Sequence, residues 1–199
     1  MNALHSRLEQ LYQRAHARPL PDPMEDAMAP PDRLAPAAVL IAVTERDDPG
    51  VLVTHRPHTM RKHPGQAAFP GGRLDPGETP VEAALREAQE ELGIDPRDVR
   101  VIGETDRFRT RTGFDITPVL ATIPADLPLV PNPAEVAEWF EPPFRYILDP
   151  ANQQEQEVHW EGAMRRYTEI HWQGHRIWGV TAAIIVNLTR RLALAERDA

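Results

Sequence analysis

The stretch from Phe69 to Ile94, FPGGRLDPGETPVEAALREAQEELGI, decides how this chain is read. Glycines and prolines run directly into a segment crowded with carboxylates. Thr79, Pro80 and Glu82 stand at the N-cap, N1 and N3 positions of a capping box, and Gly93 stands where a left-handed C-terminal residue is needed. The spacing therefore predicts a helix over Pro80 to Leu92. At 100° per residue, Val81, Ala84, Leu85, Ala88 and Leu92 share one narrow face suited to packing on a sheet. Glu87, Glu90 and Glu91 are expected on the opposite side, where like charges three and four residues apart repel. A solvated acidic face is the plain alternative for three glutamates. Here the preceding loop argues against it, because Gly71, Gly72 and Gly77 with Pro70 and Pro76 allow backbone to approach a ligand or ion closely. Ligands that are all oxygen suit a hard divalent ion, Mg²⁺ or Mn²⁺, which commonly sits between protein carboxylates and substrate phosphates.

Working outward, "AAVLIAVTE" and "GVLVTHR" are apolar, β-branched runs separated by Asp47, Asp48, Pro49 and Gly50, and read as two strands joined by a turn. "VRVIGETDRF", "FDITPVLATI" and "YTEIHWQGHRIWGV" are also strand-like, and "PAEVAEWFEPPFRYILDP" carries helical spacing. "TAAIIVNLTRRLALAERD" reads as a closing helix. Leu4, Leu8, Leu11 and Ala15 recur at helical spacing in an N-terminal segment expected as an appendage, followed by a proline-rich link. Strands and helices follow no regular βαβ rhythm, so the expected class is α/β, a sandwich of helices around a mixed β-sheet. The expected division is 1–34 for the N-terminal helix and linker, 35–190 for the core domain and 191–199 for a C-terminal tail.

The chain's 199 residues and 41% hydrophobic content support a single core. A net charge of −8 disfavours partners that reward a basic face, so neither nucleic acid nor a membrane surface is expected. With no cysteine, thiolate metal sites and disulfides are excluded. No run approaches the ~18 apolar residues of a membrane span, and the default expectation is a soluble, cytoplasmic protein.

Gly72, five residues, Glu78, seven residues and then REAQEELGI from Arg86 to Ile94 resemble the complete Nudix box, with every fixed position present. This resemblance implies a Nudix-type α/β/α fold and hydrolysis of a nucleoside diphosphate linked to another group. It also implies metal ligation by Glu87, Glu90 and Glu91, an orienting role for Arg86 and a supporting or water-organising role for Glu78. A backbone carbonyl of Gly71 or Gly72 is a further candidate ligand. The general base stays open among Glu78, Glu90, Glu91 and a carboxylate outside the box.

Upstream, Leu52 to Gly72, LVTHRPHTMRKHPGQAAFPGG, is similar to the additional motif of the coenzyme A pyrophosphatase branch. Leu52, Thr54, Arg56, Arg61, Gly65 and Phe69 fall at its positions, while Pro57 departs from the usual small residue. The resemblance extends from about Ala35 to Leu188, through "TRTGFDITPV", "NPAEVAEWFE" and "IWGVTAAI". It implies coenzyme A or a derivative as the small-molecule substrate, with adenosine 3′,5′-bisphosphate and 4′-phosphopantetheine as products. The chemistry agrees, since a 3′-phosphate beside a diphosphate calls for guanidinium donors such as Arg56 and Arg61. Arg56, Arg61, Gly65 and Phe69 form the expected substrate-binding set, with Phe69 more plausible as a packing anchor than as a stacking platform. Other readings stay open: hydrolysis of ADP-ribose, NADH or a dinucleoside polyphosphate, or a non-catalytic nucleotide sensor. A homodimer is compatible with the fold.

Overall fold

The structure, a computed structural model, describes residues 3–25, 34–59, 64–160 and 162–196. Its centre is β1 (Ala35–Thr44), paired in parallel along its whole length with β7 (Phe114–Ile123), from Ala35 opposite Phe114 to Thr44 opposite Ile123. β4 (Gly71–Arg73) runs antiparallel on the free side of β1, and β5 (Arg100–Glu104) and β6 (Phe108–Arg109) run antiparallel to β7. The result is a mixed five-stranded sheet.

Both faces of that sheet are covered, which is why "AAVLIAV" is apolar throughout instead of alternating. Ala38, Leu40 and Ala42 of β1, with Val119, Ala121 and Ile123 of β7, pack with Ala83, Ala84, Ala88 and Leu92 of α2 (Pro80–Leu92). Ile41, Val43 and Leu120 point the other way into a core shared with α4 (Val180–Glu196). Period-two side-chain alternation thus assigns each strand residue to one of two helical layers, giving the expected α/β/α sandwich.

α1 (Ala3–Ala15), expected as an appendage, belongs to this second layer: Leu8 and Ala15 are buried, and Leu8 joins the core beneath α4. The buried Arg191 of α4 clamps the end of α1, donating to the Ala15 carbonyl at 2.9 Å and the Arg18 carbonyl at 2.6 Å while pairing with Asp106. α4 continues to Glu196 with Leu192, Leu194 and Ala195 buried. The boundary expected at residue 190 therefore falls inside a packed helix.

Two small sheets flank the central one. β2 (Val53–His55) lies between β3 (Ala67–Ala68) and β8 (Glu138–Phe140), and β10 (Ala163–Trp172) lies between β9 (Gln154–Trp160) and β11 (His175–Trp178). The segment with expected helical spacing instead supplies β8 and then the short α3 (Phe144–Leu148). Pro142 and Pro143 cannot donate backbone hydrogen bonds within a continuous helix, and β2 offers an edge onto which Glu138–Phe140 pairs. β9 gave no strand signal because its first four residues, QEQE, are all polar; its pairing with β10 sets it in the sheet.

Candidate functional site

α2 has the termini its sequence predicts. The Thr79 hydroxyl accepts from the Glu82 amide, the Glu82 carboxylate accepts from the Thr79 amide at 2.8 Å, and Gly93 closes the helix at φ 72°. Alanines at 83, 84 and 88 bring the helix close to β1 and β7, with Val81 and Leu85 at the margin of the contact. The loop glycines serve clearance. A side chain at Gly71 would run into the Ala38 carbonyl and Val39 of β1, and one at Gly72 would occupy the space of the Glu87 carboxylate.

Arg86 organises the glutamates around it. Its Nε and Nη2 donate to the two oxygens of Glu78 at 2.9 and 3.0 Å, and Nη1 donates to Glu87 at 2.9 Å and Glu90 at 3.1 Å. Nη2 also donates to the Arg73 carbonyl at 3.0 Å, tying the helix to the glycine loop. Glu78 accepts from the Asp75 amide at 2.8 Å as well, and these donors, Arg86 first, hold its carboxyl below the usual range.

The three box glutamates do not share one environment. Glu91, expected on the outer flank, is only 5% exposed. Seven residues after Ala84, it stands about 20° from that alanine and accepts from the Gly71 amide, and the segment after β7 docks on the end of α2: the Val130 amide donates to the Leu92 carbonyl and the Asn132 amide to the Glu91 carbonyl, each at 2.8 Å. Val136 then inserts among the residues under α2. This docking brings in Glu135, whose amide donates to the Asn132 carbonyl at 3.0 Å and whose carboxylate accepts from the Asn132 side chain at 3.4 Å. Carboxylate oxygens of Glu87, Glu91 and Glu135 lie within 4.8 Å of one another. Glu90 stays outside that group, 51% exposed at its side chain and paired with Arg86.

Burial pushes the Glu91 carboxyl up to about 8; the Gly71 amide and nearby Arg56 oppose the rise, while Glu87 and Glu135 add to it. Burial likewise raises Glu87, against the pull of Arg86. Three converging carboxylates, two of them with pKa values raised by burial, are a poor arrangement for a bare protein and a good one for a divalent cation. The all-oxygen donor set fits Mg²⁺ or Mn²⁺.

Glu135 was not singled out in the sequence. Its signal was the Asn132-Pro133 turn within "NPAEVAEWFE", obscured by the helical spacing of the same segment.

The upstream motif folds against this group. Arg56 follows β2 directly, its amide donating to the Gln66 carbonyl at 3.1 Å and its carbonyl accepting from the Gly65 amide at 3.0 Å. Its Nε is buried and makes no hydrogen bond among the described residues. Gly65 adopts φ 67°, and a side chain there would collide with the His58 ring. Phe69 is 3% exposed inside the core shared with α4, so it supports the loop from beneath and presents no surface to a substrate. Arg61 lies outside the described residues, as do Lys62 and His63.

A family model, the NUDIX domain, matches residues 34–171. A Cronobacter sakazakii protein described as uncharacterized Nudix hydrolase NudL is 44% identical over 159 residues, 79% of this chain and 81% of that protein. Its Yersinia pestis namesake is 37% identical, covering 79% and 80% respectively. Among solved structures, a Nudix hydrolase from M. smegmatis, RenU, is 28% identical, covers 57% of this chain and 72% of its own, and has a TM-score of 0.49.

Proposed function

The chain belongs to the NUDIX domain family and is a Nudix hydrolase; within that family we propose that it cleaves the diphosphate of coenzyme A or a derivative, releasing adenosine 3′,5′-bisphosphate and 4′-phosphopantetheine. The observation that carries this reading is the position of Arg56. Within the spaced motif from Leu52 to Gly72, Arg56 is half-buried, its Nε is buried without a hydrogen bond among the described residues, and its charge lies close enough to act on the carboxyl of Glu91. An arginine so placed offers charge-assisted hydrogen bonds to a phosphate beside the scissile link. Arg61 and Gly65 complete the substrate side of the proposal, Gly65 by shaping the loop.

Glu87, Glu91 and Glu135 are the proposed holders of Mg²⁺ or Mn²⁺, with Glu90, on the same helix flank, the remaining candidate ligand. Such an ion, when bound, neutralises diphosphate charge and lowers the pKa of a water molecule. Glu78 acts as a positioning residue: both its oxygens are occupied by Arg86 and its acidity is strengthened, which suits it to fixing the guanidinium more than to removing a proton. Arg86 in turn fixes Glu87 and Glu90. The general base is then drawn from Glu90, Glu91 and Glu135. No helix among the described residues is long and apolar enough to cross a membrane, and we place the enzyme in the cytoplasm, acting on a soluble nucleotide, singly or as a homodimer.

The test is hydrolysis by the purified protein with Mg²⁺ or Mn²⁺, comparing coenzyme A, dephospho-coenzyme A and ADP-ribose, with products identified by mass. Coenzyme A is expected to give the highest kcat/KM. Equal rates with dephospho-coenzyme A, or a preference for ADP-ribose, would reject the substrate assignment while leaving the hydrolase intact.

A further inference from the structure

Two histidines and a glutamate from three strands meet beside Arg56 and Gly65, and the hydrolytic reading gives none of the three a role. His55 ends β2, Glu138 begins β8 directly opposite it, and His175 begins β11. His55 Nε2 lies 3.1 Å from His175 Nδ1, and each of these atoms lies 3.8 Å from the same oxygen, Glu138 Oε1. The circle through three points so spaced has a radius of about 2.1 Å, the length of a bond from Zn²⁺ to imidazole nitrogen or carboxylate oxygen.

The rings are held in that orientation by other contacts. His55 Nδ1 lies 3.1 Å from the Gly65 carbonyl, so Nδ1 carries the proton and Nε2 presents its lone pair to the cluster. His175 stacks on Phe140 with ring centroids 3.9 Å apart and planes 2° from parallel, which aims Nδ1 at the same point. The cluster borders a cleft of about 510 Å³ also lined by Arg56, His58, Gly65 and Gly174, which gives an ion a path from solvent.

We propose that His55 Nε2, His175 Nδ1 and Glu138 Oε1 bind a transition-metal ion of the Zn²⁺ class. Two imidazoles favour a borderline ion over Mg²⁺, so this site selects a different cation from the carboxylate group on α2. Three protein ligands leave one position toward the cleft. Since β2 and β8 belong to one small sheet and β11 to the other, the ion acts as a clasp between them.

The test uses the full chain, stripped with chelator and titrated with Zn²⁺ while its histidine ¹⁵N resonances are followed. One equivalent should shift two histidines, one through Nε2 and one through Nδ1, and Mg²⁺ should shift neither. His175→Gln and Glu138→Gln should abolish the response and the rise in thermal midpoint that accompanies it. Glu138 is largely exposed, so its replacement leaves packing in place and keeps the test sound if the histidine variant fails to fold. Glu87→Gln/Glu91→Gln should retain both effects. Zn²⁺ that shifts no histidine, or whose effects disappear in the Glu87/Glu91 variant and survive in Glu138→Gln, would overturn the proposal.

Discussion

Replacing Glu91 by Gln should make the metal-free protein more stable while removing its activity. Glu91 is 5% exposed, with its carboxyl pushed from 4.5 to about 8 mainly by burial. A carboxyl with a raised folded pKa is protonated in the native state over a pH range where the unfolded chain has lost its proton. Native stability is therefore favoured below about pH 4.5 and declines as pH rises toward 8. Each pH unit in that window costs about 1.4 kcal/mol, so the loss is about 3 kcal/mol at pH 7 and on the order of 5 kcal/mol by pH 9. Gln has the same shape, and its carbonyl oxygen can still accept from the Gly71 amide, so the variant lacks only the titration. The assay is urea denaturation of both proteins in chelator from pH 5 to 9, read as a difference so that shared titrations cancel. The expected result is near-equality at pH 5 and a variant advantage of several kcal/mol at pH 9. Saturating Mn²⁺ should return stability to the wild type and much less to the variant. Curves that run parallel across the whole range would refute the claim that Glu91 is desolvated at a cost the cation offsets.

Other perturbations probe the remaining parts. Arg86→Lys keeps the charge but loses the fork that reaches Glu78, Glu87 and Glu90 together, and should lower kcat on the order of 10–100-fold with little change in thermal midpoint. Gly72→Ala should displace the Glu87 carboxylate and weaken Mn²⁺ binding, measurable by calorimetry, whereas Gly71→Ala meets backbone and should cost about 1–3 kcal/mol of stability. Asn132→Ala removes the anchor of Glu135 and should raise the metal requirement for turnover, with about 1 kcal/mol lost in denaturation. Arg56→Lys should raise KM for coenzyme A more than for dephospho-coenzyme A if the guanidinium serves the 3′-phosphate.

Local signals were enough to specify α2 to the residue, because a capping box, an N1 proline and a C-terminal glycine are encoded within its own fifteen positions. They also located β1, through its apolar run, and the strand β7, and the irregular order of strands and helices pointed to the sandwich. The box and its upstream motif named the hydrolase family and the residues to inspect. What local signals could not convey was which carboxylates would meet. A helical wheel already sets Glu91 about 20° from Ala84 and Glu90 far from the packed face, but only a segment docking from forty residues downstream supplies Glu135, while Glu90 is left to Arg86. The convergence of His55, Glu138 and His175 is of the same kind, since they lie on strands that become neighbours only through sheet pairing and hairpin packing. Helix caps are short-range chemistry and can be read along the chain. The meeting of charges from distant segments is decided by which hydrophobic faces pack together, and that is settled only in three dimensions.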